Sequence, residues 1–333
     1  MTHSISLRLV PGSIALLVSI LSYNLVTASD QIAYFGYNNA IELKNEDTRV
    51  VLCPEVGGRI LEYSLRGKNV LHLSDADKSW KPGMPPQSSA GRFDIGPELV
   101  IPRRSVLWTG KWLGEITGPR SARLTSQEDS ATGVKLIRDF SLDERSSRLL
   151  CTQTIVNVSQ ATKEWCHWSR TFAVGKGICI VPLSDPQSGP MSRFPSSYVM
   201  YESRGLINMQ PDDPQIRRVG NSLHIYPTPK HPKLGFDSYA GTLAYLAPNN
   251  LMFVKKFKTF PNRVYNEAAG LTISVWYPDR EMVELEPIGP RQRIAPGESA
   301  SFTEEWWLED LPFPGVDKPV DSADLQHRLD RMK

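Results

Sequence analysis

The sequence predicts an all-β protein built as one large antiparallel sandwich. Apolar and polar residues alternate with a period of two along much of the 333-residue chain, a pattern typical of strands with one buried face. Turn-forming residues interrupt this alternation throughout, since the chain has 23 glycines and 26 prolines, which disfavours an all-helical protein. No composition break or long linker appears between residues 29 and 315. We therefore expect these residues to form a single domain.

The first 28 residues have the pattern of a secretory signal peptide. Arg8 precedes an apolar stretch over residues 14–21, and Val26 and Ala28 place small residues at the expected cleavage site. The apolar stretch is too short to span a bilayer comfortably, although an uncleaved membrane anchor is the alternative. We expect cleavage near Ala28 and a secreted or periplasmic product with no stable membrane span.

Seven segments of the expected domain alternate clearly enough to be predicted as strands. In one of them Leu150 and Thr152 lie on one face, and Cys151 and Gln153 lie on the other. The seven predicted strands are residues 48–53, 59–65, 134–142, 150–158, 251–257, 271–277 and 301–308. Two polar stretches, residues 75–90 and 184–197, are predicted to be long surface loops that border a binding groove.

The C-terminal tail, residues 316–333, is expected to carry one short helix. After Asp321, the residues Leu325, Leu329 and Met332 recur at helical spacing. The helix is expected to be peripheral because it lies beyond the last predicted strand.

The charge and the cysteines exclude several kinds of partner. Lys plus Arg is 38 and Asp plus Glu is 36, a balance that does not suit a nucleic-acid partner. The cysteines, Cys53, Cys151, Cys166 and Cys179, allow three disulfide pairings, and buried free thiols are equally compatible with the sequence. Their spacing fits no zinc site, and no metal or other cofactor is expected.

Three segments, in this order, resemble the galactose mutarotase-like (aldose 1-epimerase-like) superfamily. The opening hairpin of that family is similar to PEVGGRI at residues 54–60 followed by GKNVL at 67–71. Its middle segment, with a histidine that acts on the sugar ring, is similar to NVS at 157–159 followed by WCHW at 165–168. Its catalytic-glutamate strand and the turn into the last strand are similar to VELEP at 283–287 and APGES at 295–299. The resemblance implies a β-supersandwich with a sugar-binding groove.

Within the superfamily, the sequence resembles most closely an exported branch, the DUF4380 type. The segments that carry this resemblance are GRFDIGPE at residues 91–98 and WTGKW at 108–112.

The resemblance implies His167 and Glu286 as the catalytic acid and base. Anomer exchange needs a base at the C1 hydroxyl and an acid at the ring oxygen. Glu284 and Glu286 point to the same face of a strand, so either could supply the carboxylate. The family also has an upstream histidine on the sugar, but no histidine occurs here between His72 and His167.

The same segments contain candidate substrate-binding residues. Aromatic rings stack on the apolar faces of sugars, and arginines bind a carboxylate or sulfate on an acidic sugar. The alternatives are burial of the tryptophans in the core and pairing of the arginines with nearby carboxylates. The candidates are Arg92, Asp94, Glu98, Trp108, Trp112, Trp168, Arg170 and Glu284.

We therefore expect an exported carbohydrate-binding protein that interconverts sugar anomers, which would make it a mutarotase-type isomerase. One alternative is a non-catalytic sugar-binding module, which the missing upstream histidine favours. Another, by fold analogy, is cleavage of a uronic-acid polysaccharide by a lyase mechanism that uses Arg92, His167 and Tyr265.

Overall fold

The computed structural model describes Met1 and residues 29–85, 87 and 89–332. The predicted signal peptide, Met1 excepted, lies outside the described residues. The strands are β1 (Ser29–Tyr34), β2 (Tyr37–Lys44), β3 (Thr48–Cys53), β4 (Arg59–Leu65), β5 (Lys68–Asn69), β6 (Gly91–Gly96), β7 (Leu113–Gly118), β8 (Ser121–Thr125), β9 (Val134–Leu142), β10 (Leu149–Asn157), β11 (Lys163–Val174), β12 (Ile178–Pro182), β13 (Val199–Tyr201), β14 (Ile207–Asn208), β15 (Ile216–Val219), β16 (Ser222–Ile225), β17 (Lys233–Phe236), β18 (Thr242–Ala247), β19 (Leu251–Phe257), β20 (Ile273–Trp276), β21 (Met282–Pro287), β22 (Gln292–Ile294) and β23 (Ser299–Asp310). The helices are α1 (Asp75–Lys78), α2 (Ser105–Trp108) and α3 (Ser322–Arg331), with 3₁₀ turns at Ser203–Gly205 and Ala268–Gly270.

Two antiparallel sheets pack face to face, which confirms the predicted all-β sandwich. The larger sheet has the order β1-β2-β3-β4-β6-β11-β21-β20-β17-β13-β14, with β5 beside β4 and β22 beside β11. The smaller sheet has the order β15-β16-β12-β18-β19-β23-β10-β9-β8-β7. Buried side chains of both sheets, such as Phe93 on β6 and Trp306 on β23, form the main core between them.

All seven predicted strands form, and their ends differ from the predicted ends by at most two residues. The alternation predicts them well because one face meets the core, as in β9 and β10, where buried and half-buried residues alternate along the strand. Among their described residues, the segments 75–90 and 184–197 contain no strand. The first of these segments contains the short helix α1.

Helix α3 covers the outer face of the smaller sheet and lies in the segment where the sequence predicts a C-terminal helix. The Asp321 carboxylate caps its N-terminus by accepting hydrogen bonds from two backbone amides. Leu325 and Leu329 pack onto apolar residues of β12, β18 and β19. Lys256 Nζ donates to the Leu329 carbonyl oxygen at 2.8 Å. Within the described residues, no helix is long and apolar enough to cross a membrane.

The four cysteines are buried and unpaired. Burial raises the pKa of the Cys53 thiol to about 11, so this thiol is protonated at neutral pH. Free buried thiols are one of the two arrangements that the sequence allowed.

Candidate functional site

The outer face of the larger sheet carries a row of charged side chains on adjacent strands. The register pairs Arg170 on β11 with Arg92 on β6. It also pairs Trp276 on β20 with Glu284 on β21 and with Lys233 on β17. Because side chains alternate along a strand, these residues project to the same side of the sheet. They form the floor of a groove.

At the centre of this floor, two carboxylates pair with two cations. Arg170 Nε lies 2.8 Å from Glu284 Oε1 and 3.2 Å from Glu286 Oε1. Lys233 Nζ donates to Glu286 Oε2 at 2.5 Å. The carboxylate side chains are at most 1% exposed, whereas those of Arg170 and Lys233 are each 16% exposed. The cations therefore form the surface of the floor, and the carboxylates lie beneath them.

The two carboxyl groups differ in their readiness to take up a proton. Burial and the neighbouring charge of Glu286 together raise the pKa of Glu284. Burial alone would also raise the pKa of Glu286, but the charges of Lys233 and Arg170 reverse that effect and lower it. Of the two, Glu284 therefore takes up a proton more readily than Glu286.

A second ion pair and an indole ring form the other half of the groove. Arg104 Nε donates to Asp94 Oδ1 at 2.6 Å, and Arg104 Nη2 donates to Asp94 Oδ2. The Trp108 ring, at the end of α2, lies near three guanidinium groups, with its centroid 3.9 Å from Arg92 Cζ and 5.0 Å from Arg170 Cζ. These are cation–π distances. Trp108 therefore forms a wall of the groove between two arginines.

Arg92 lies behind this wall as a buried cation. It is 1% exposed, and its Nε and Nη2 atoms have no hydrogen-bond partner. Its Nη1 atom donates to the Gln87 carbonyl oxygen at 3.3 Å. Burial lowers the pKa of Arg92 well below its ordinary value. No carboxylate among the described residues forms an ion pair with it.

The groove consists of two cavities that share Glu98 and Arg170. The first, of about 570 Å³, is also lined by Tyr201, Glu202, Ser203, His231, Pro232, Lys233, Trp276 and Glu284. The second, of about 490 Å³, is also lined by Arg103, Arg104, Ser105, Trp108 and Thr109. We call them the Glu284 cavity and the Trp108 cavity. None of the described residues of segments 75–90 and 184–197 lines either cavity, so these loops do not border the groove.

The structure brings most of the predicted site residues together at this groove. Those that line it are Glu98, Trp108, Arg170 and Glu284. Those in its buried floor or directly behind it are Arg92, Asp94, Trp168 and Glu286. The two remaining candidates, His167 and Trp112, lie elsewhere.

His167 faces the interior of the sandwich and does not reach Glu286. Its Nε2 atom donates to the Ala300 carbonyl oxygen, 3.0 Å away on β23. Its ring stacks between Phe93 and Phe302, with both centroid separations 5.8 Å. Burial lowers the pKa of His167 to about 4. The predicted acid–base pair is therefore divided between opposite faces of the larger sheet.

Trp112 is a core residue, because it packs beneath a glycine turn instead of facing the groove. It is 2% exposed, and its Nε1 donates to the Leu107 carbonyl oxygen at 3.2 Å. Gly58, with a φ of +55°, passes so close that a Cβ atom there would lie 2.4 Å from the Trp112 ring.

The three residues expected of a lyase are also separated. Tyr265 is buried, and its hydroxyl accepts a hydrogen bond from the Phe260 amide at 3.1 Å. Arg92 lies behind Trp108, and His167 points into the core. The three do not meet at one surface.

Several groove residues were not among the candidates from the sequence, including Tyr201, His231, Lys233 and Trp276. For Trp276 a signal was present, since in the predicted strand 271–277 it shares a face with Ser274, opposite to Ile273 and Val275. His231 and Lys233 lie in and directly after a proline-rich segment, which gives no signal for a site. The pairing of β17 with β20 places Lys233 beside Trp276 in the groove. Within the described part of the chain, no group of three or more potential metal ligands occurs.

Solved structures with the galactose mutarotase-like fold are similar to this chain. A candidate aldose 1-epimerase from Escherichia coli K12 has a TM-score of 0.57 at 13% identity, over 82% of this chain and 99% of the other. A galactose mutarotase-like protein from Lactobacillus casei has a TM-score of 0.57 at 10% identity, over 81% and 100%. A galactose mutarotase-related enzyme from Lactobacillus acidophilus has a TM-score of 0.54 at 10% identity, over 84% and 100%. The sequence matches no protein-family model and no curated relative. The fold is therefore that of galactose mutarotase-like proteins.

Proposed function

We propose that this protein binds a carbohydrate in the groove on the outer face of its larger sheet. The observation that supports this most directly is the combination of an ion-paired floor with indole walls. Arg170 and Lys233 present charged hydrogen-bond donors, while Trp108 and Trp276 line the two cavities. Sugars need both features, since hydroxyl groups bind charged donors and apolar ring faces stack on aromatic side chains. The names of the similar structures, aldose 1-epimerase and galactose mutarotase, agree with such a ligand.

Interconversion of sugar anomers is the activity that the chemistry of the Glu284 cavity favours. Glu284 has a raised pKa and lines the same cavity as His231. In this proposal Glu284 takes the proton from the C1 hydroxyl, and His231 protonates the ring oxygen. Glu286 holds Arg170 and Lys233 in place. His167 has no part in the chemistry, because it lies on the other face of β11.

Nuclear magnetic resonance of sugars with the purified protein tests both statements. Saturation-transfer spectra report binding, and exchange between anomer signals reports turnover, for a panel of neutral and acidic monosaccharides. We expect Trp276→Ala to weaken binding about tenfold, and Trp307→Phe, on the smaller sheet, to leave it unchanged. Glu284→Gln should slow exchange by about 10²-fold or more while affinity stays within a few-fold.

The outcomes separate the two proposals. If no sugar in the panel binds, carbohydrate binding is rejected. Binding without any acceleration of exchange would make the protein a non-catalytic binding module. Exchange that persists at full rate in Glu284→Gln would reject the role of Glu284.

We also propose that the protein is exported and belongs to the DUF4380 type of this superfamily. The signal-peptide pattern supports export. The segments 91–98 and 108–112, on which the DUF4380 resemblance rests, contribute Asp94, Glu98 and Trp108 to the groove region. Expression of the full chain in a bacterial host tests export, with the N-terminus of the periplasmic fraction determined by mass spectrometry. A start near residue 29 is expected, and an intact leader in the cytoplasm would contradict the proposal.

A further inference from the structure

We propose that the ligand is an acidic saccharide whose anionic group lies in the Trp108 cavity. This inference rests on the proposed function and narrows the class of carbohydrate. It follows from the distribution of charge along the groove and from the buried guanidinium behind Trp108.

The charged side chains of the floor are not fully balanced. Three carboxylates each have a close cation, since Asp94 pairs with Arg104, Glu284 with Arg170, and Glu286 with Lys233. The side chains that line the Trp108 cavity include three arginines, Arg103, Arg104 and Arg170, and one carboxylate, Glu98. The cavity therefore has a net positive charge.

The exposure of the paired groups adds to this asymmetry. The side chain of Arg104 is 16% exposed and that of Asp94 only 1%. The same difference separates Arg170 from Glu284. A ligand that enters the Trp108 cavity therefore meets guanidinium groups first, with their carboxylates behind them. An anion can accept hydrogen bonds from these groups without displacing either carboxylate.

Arg92 supplies the second, independent observation. A cation that is 1% exposed and has no carboxylate partner carries a large desolvation cost. Its guanidinium stacks on Trp108 at 3.9 Å, and Trp108 in turn lines the cavity. An anionic group bound by Arg103 and Arg104 beside this indole would bring an opposite charge close to Arg92. A neutral ligand would bring no such charge.

The Glu284 cavity has the opposite balance of charge, and this difference determines how an acidic ligand is oriented in the groove. Its lining includes Glu98, Glu202 and Glu284, against Arg170 and Lys233. An anionic substituent is disfavoured there and favoured in the Trp108 cavity. The reacting end of the sugar would then face Glu284, and the acidic group would point toward Trp108.

Matched pairs of sugars test the inference. The dissociation constants of galacturonate and galactose, and of glucuronate and glucose, are measured by titration calorimetry at 50 mM and 300 mM NaCl, with glucose 6-sulfate as a second kind of anion. We expect at least one acidic sugar to bind tenfold or more tightly than its neutral counterpart. The preference should fall at the higher salt concentration, because ionic interactions at an open groove are screened. Preference for the uronates or for the sulfate identifies the anionic group.

Arg103→Gln removes an exposed charge from the Trp108 cavity without touching an ion pair of the floor. It should reduce the preference for the acidic sugar, measured as the ratio of the two dissociation constants, about fivefold. Arg145→Gln, the same change at an exposed position between β9 and β10, is the control. Arg92→Met should reduce the preference further, and Arg103→Gln keeps the test decisive if Arg92→Met does not fold.

Equal affinity for acidic and neutral sugars would overturn this inference and leave carbohydrate binding intact. A preference that does not respond to salt or to Arg103→Gln would also overturn it. Failure of every sugar to bind would reject the proposed function itself, and this inference with it.

Discussion

His167 is a neutral histidine stacked between two phenylalanine rings, and its ionisation couples folding to pH. Its pKa falls from the ordinary 6.5 to about 4 on burial. Because the folded value is the lower one, the unfolded chain takes up the proton first as the pH falls. Stability is therefore complete above pH 6.5 and decreases between pH 6.5 and about 4. The loss between pH 7 and pH 5 should be about 2 kcal/mol.

Urea unfolding of the wild type and of His167→Phe at both pH values measures this coupling. Phenylalanine keeps the stack with Phe93 and Phe302 but cannot be protonated. Its stability should fall about 2 kcal/mol less than that of the wild type between pH 7 and pH 5. His327→Gln, at an exposed position of α3, should retain the wild-type dependence. Equal pH dependence in His167→Phe and the wild type would show that this histidine is not the group responsible.

The sequence already contained the information that separates His167 from Arg170. The two are three positions apart in one strand, so their side chains must point to opposite faces. It did not show which face meets the core, because β11 is largely buried on both sides. Nor did it show that Arg170 meets Glu286, which depends on the pairing of strands far apart in the chain. The individual groove residues were therefore easier to predict than their grouping.

At the scale of elements, Lys255 holds β11 and β21, two strands of the site, from the core side of the larger sheet. Its ammonium group, fully buried on β19, donates to Ser169 Oγ and Thr171 Oγ1 at 2.8 Å each. These residues flank Arg170 on β11. It also donates to the Leu285 carbonyl oxygen at 3.1 Å, between the two glutamates of β21. Its charge is balanced by Glu304 on β23, at 3.1 Å. One side chain thus ties the smaller sheet to both strands.

Lys255→Met should destabilise the fold by about 3–5 kcal/mol, since it leaves the buried Glu304 without a cation. The double variant Lys255→Met/Glu304→Gln should recover at least about 1 kcal/mol, because neither charge remains. Lys258→Met, at an exposed position, is the control. Urea unfolding measures all of them. A Lys255→Met variant within about 1 kcal/mol of the wild type would contradict this account.

Two strands that carry the groove, β6 and β17, were not predicted from alternation. Every residue of β6, Gly91–Gly96, is buried, so no alternation of polarity marks it as a strand. β17 is only four residues long, from Lys233 to Phe236, and is equally inconspicuous. Alternation of apolar and polar residues predicts strands that have one face exposed to solvent. Of the other strands that carry the groove, β20 lies within a segment predicted from alternation, and β11 and β21 overlap segments of the family resemblance.

At the scale of the whole molecule, the two outer faces of the sandwich differ in whether they are covered or accessible. The smaller sheet is covered by α3, which buries an apolar surface. The larger sheet leaves polar and aromatic side chains accessible in the groove. The main core separates the two faces, so we expect changes at α3 to affect stability and not the groove.

Removal of α3 by truncation after Val320 tests this separation. Its loss uncovers apolar side chains of the smaller sheet, namely Ile178, Ile180, Leu246, Met252 and Val254. We expect a lower thermal unfolding temperature and binding of an apolar fluorescent dye. Leu325→Ala, a smaller change at the same contact, should cost about 2–4 kcal/mol. His327→Ala, on the exposed side of α3, should cost little.

The affinity for a groove ligand decides whether the two faces are independent. In the truncated chain, below its unfolding temperature, the dissociation constant for any sugar that binds the wild type should change by less than about twofold, since additivity holds for distant sites. The core between the sheets consists of packed side chains with few alternatives to their present arrangement. A larger change in affinity in the folded truncated protein would mean that this core transmits the state of α3 to β11 and β21. Lys255, which contacts both strands, would then be the first residue to examine for that coupling.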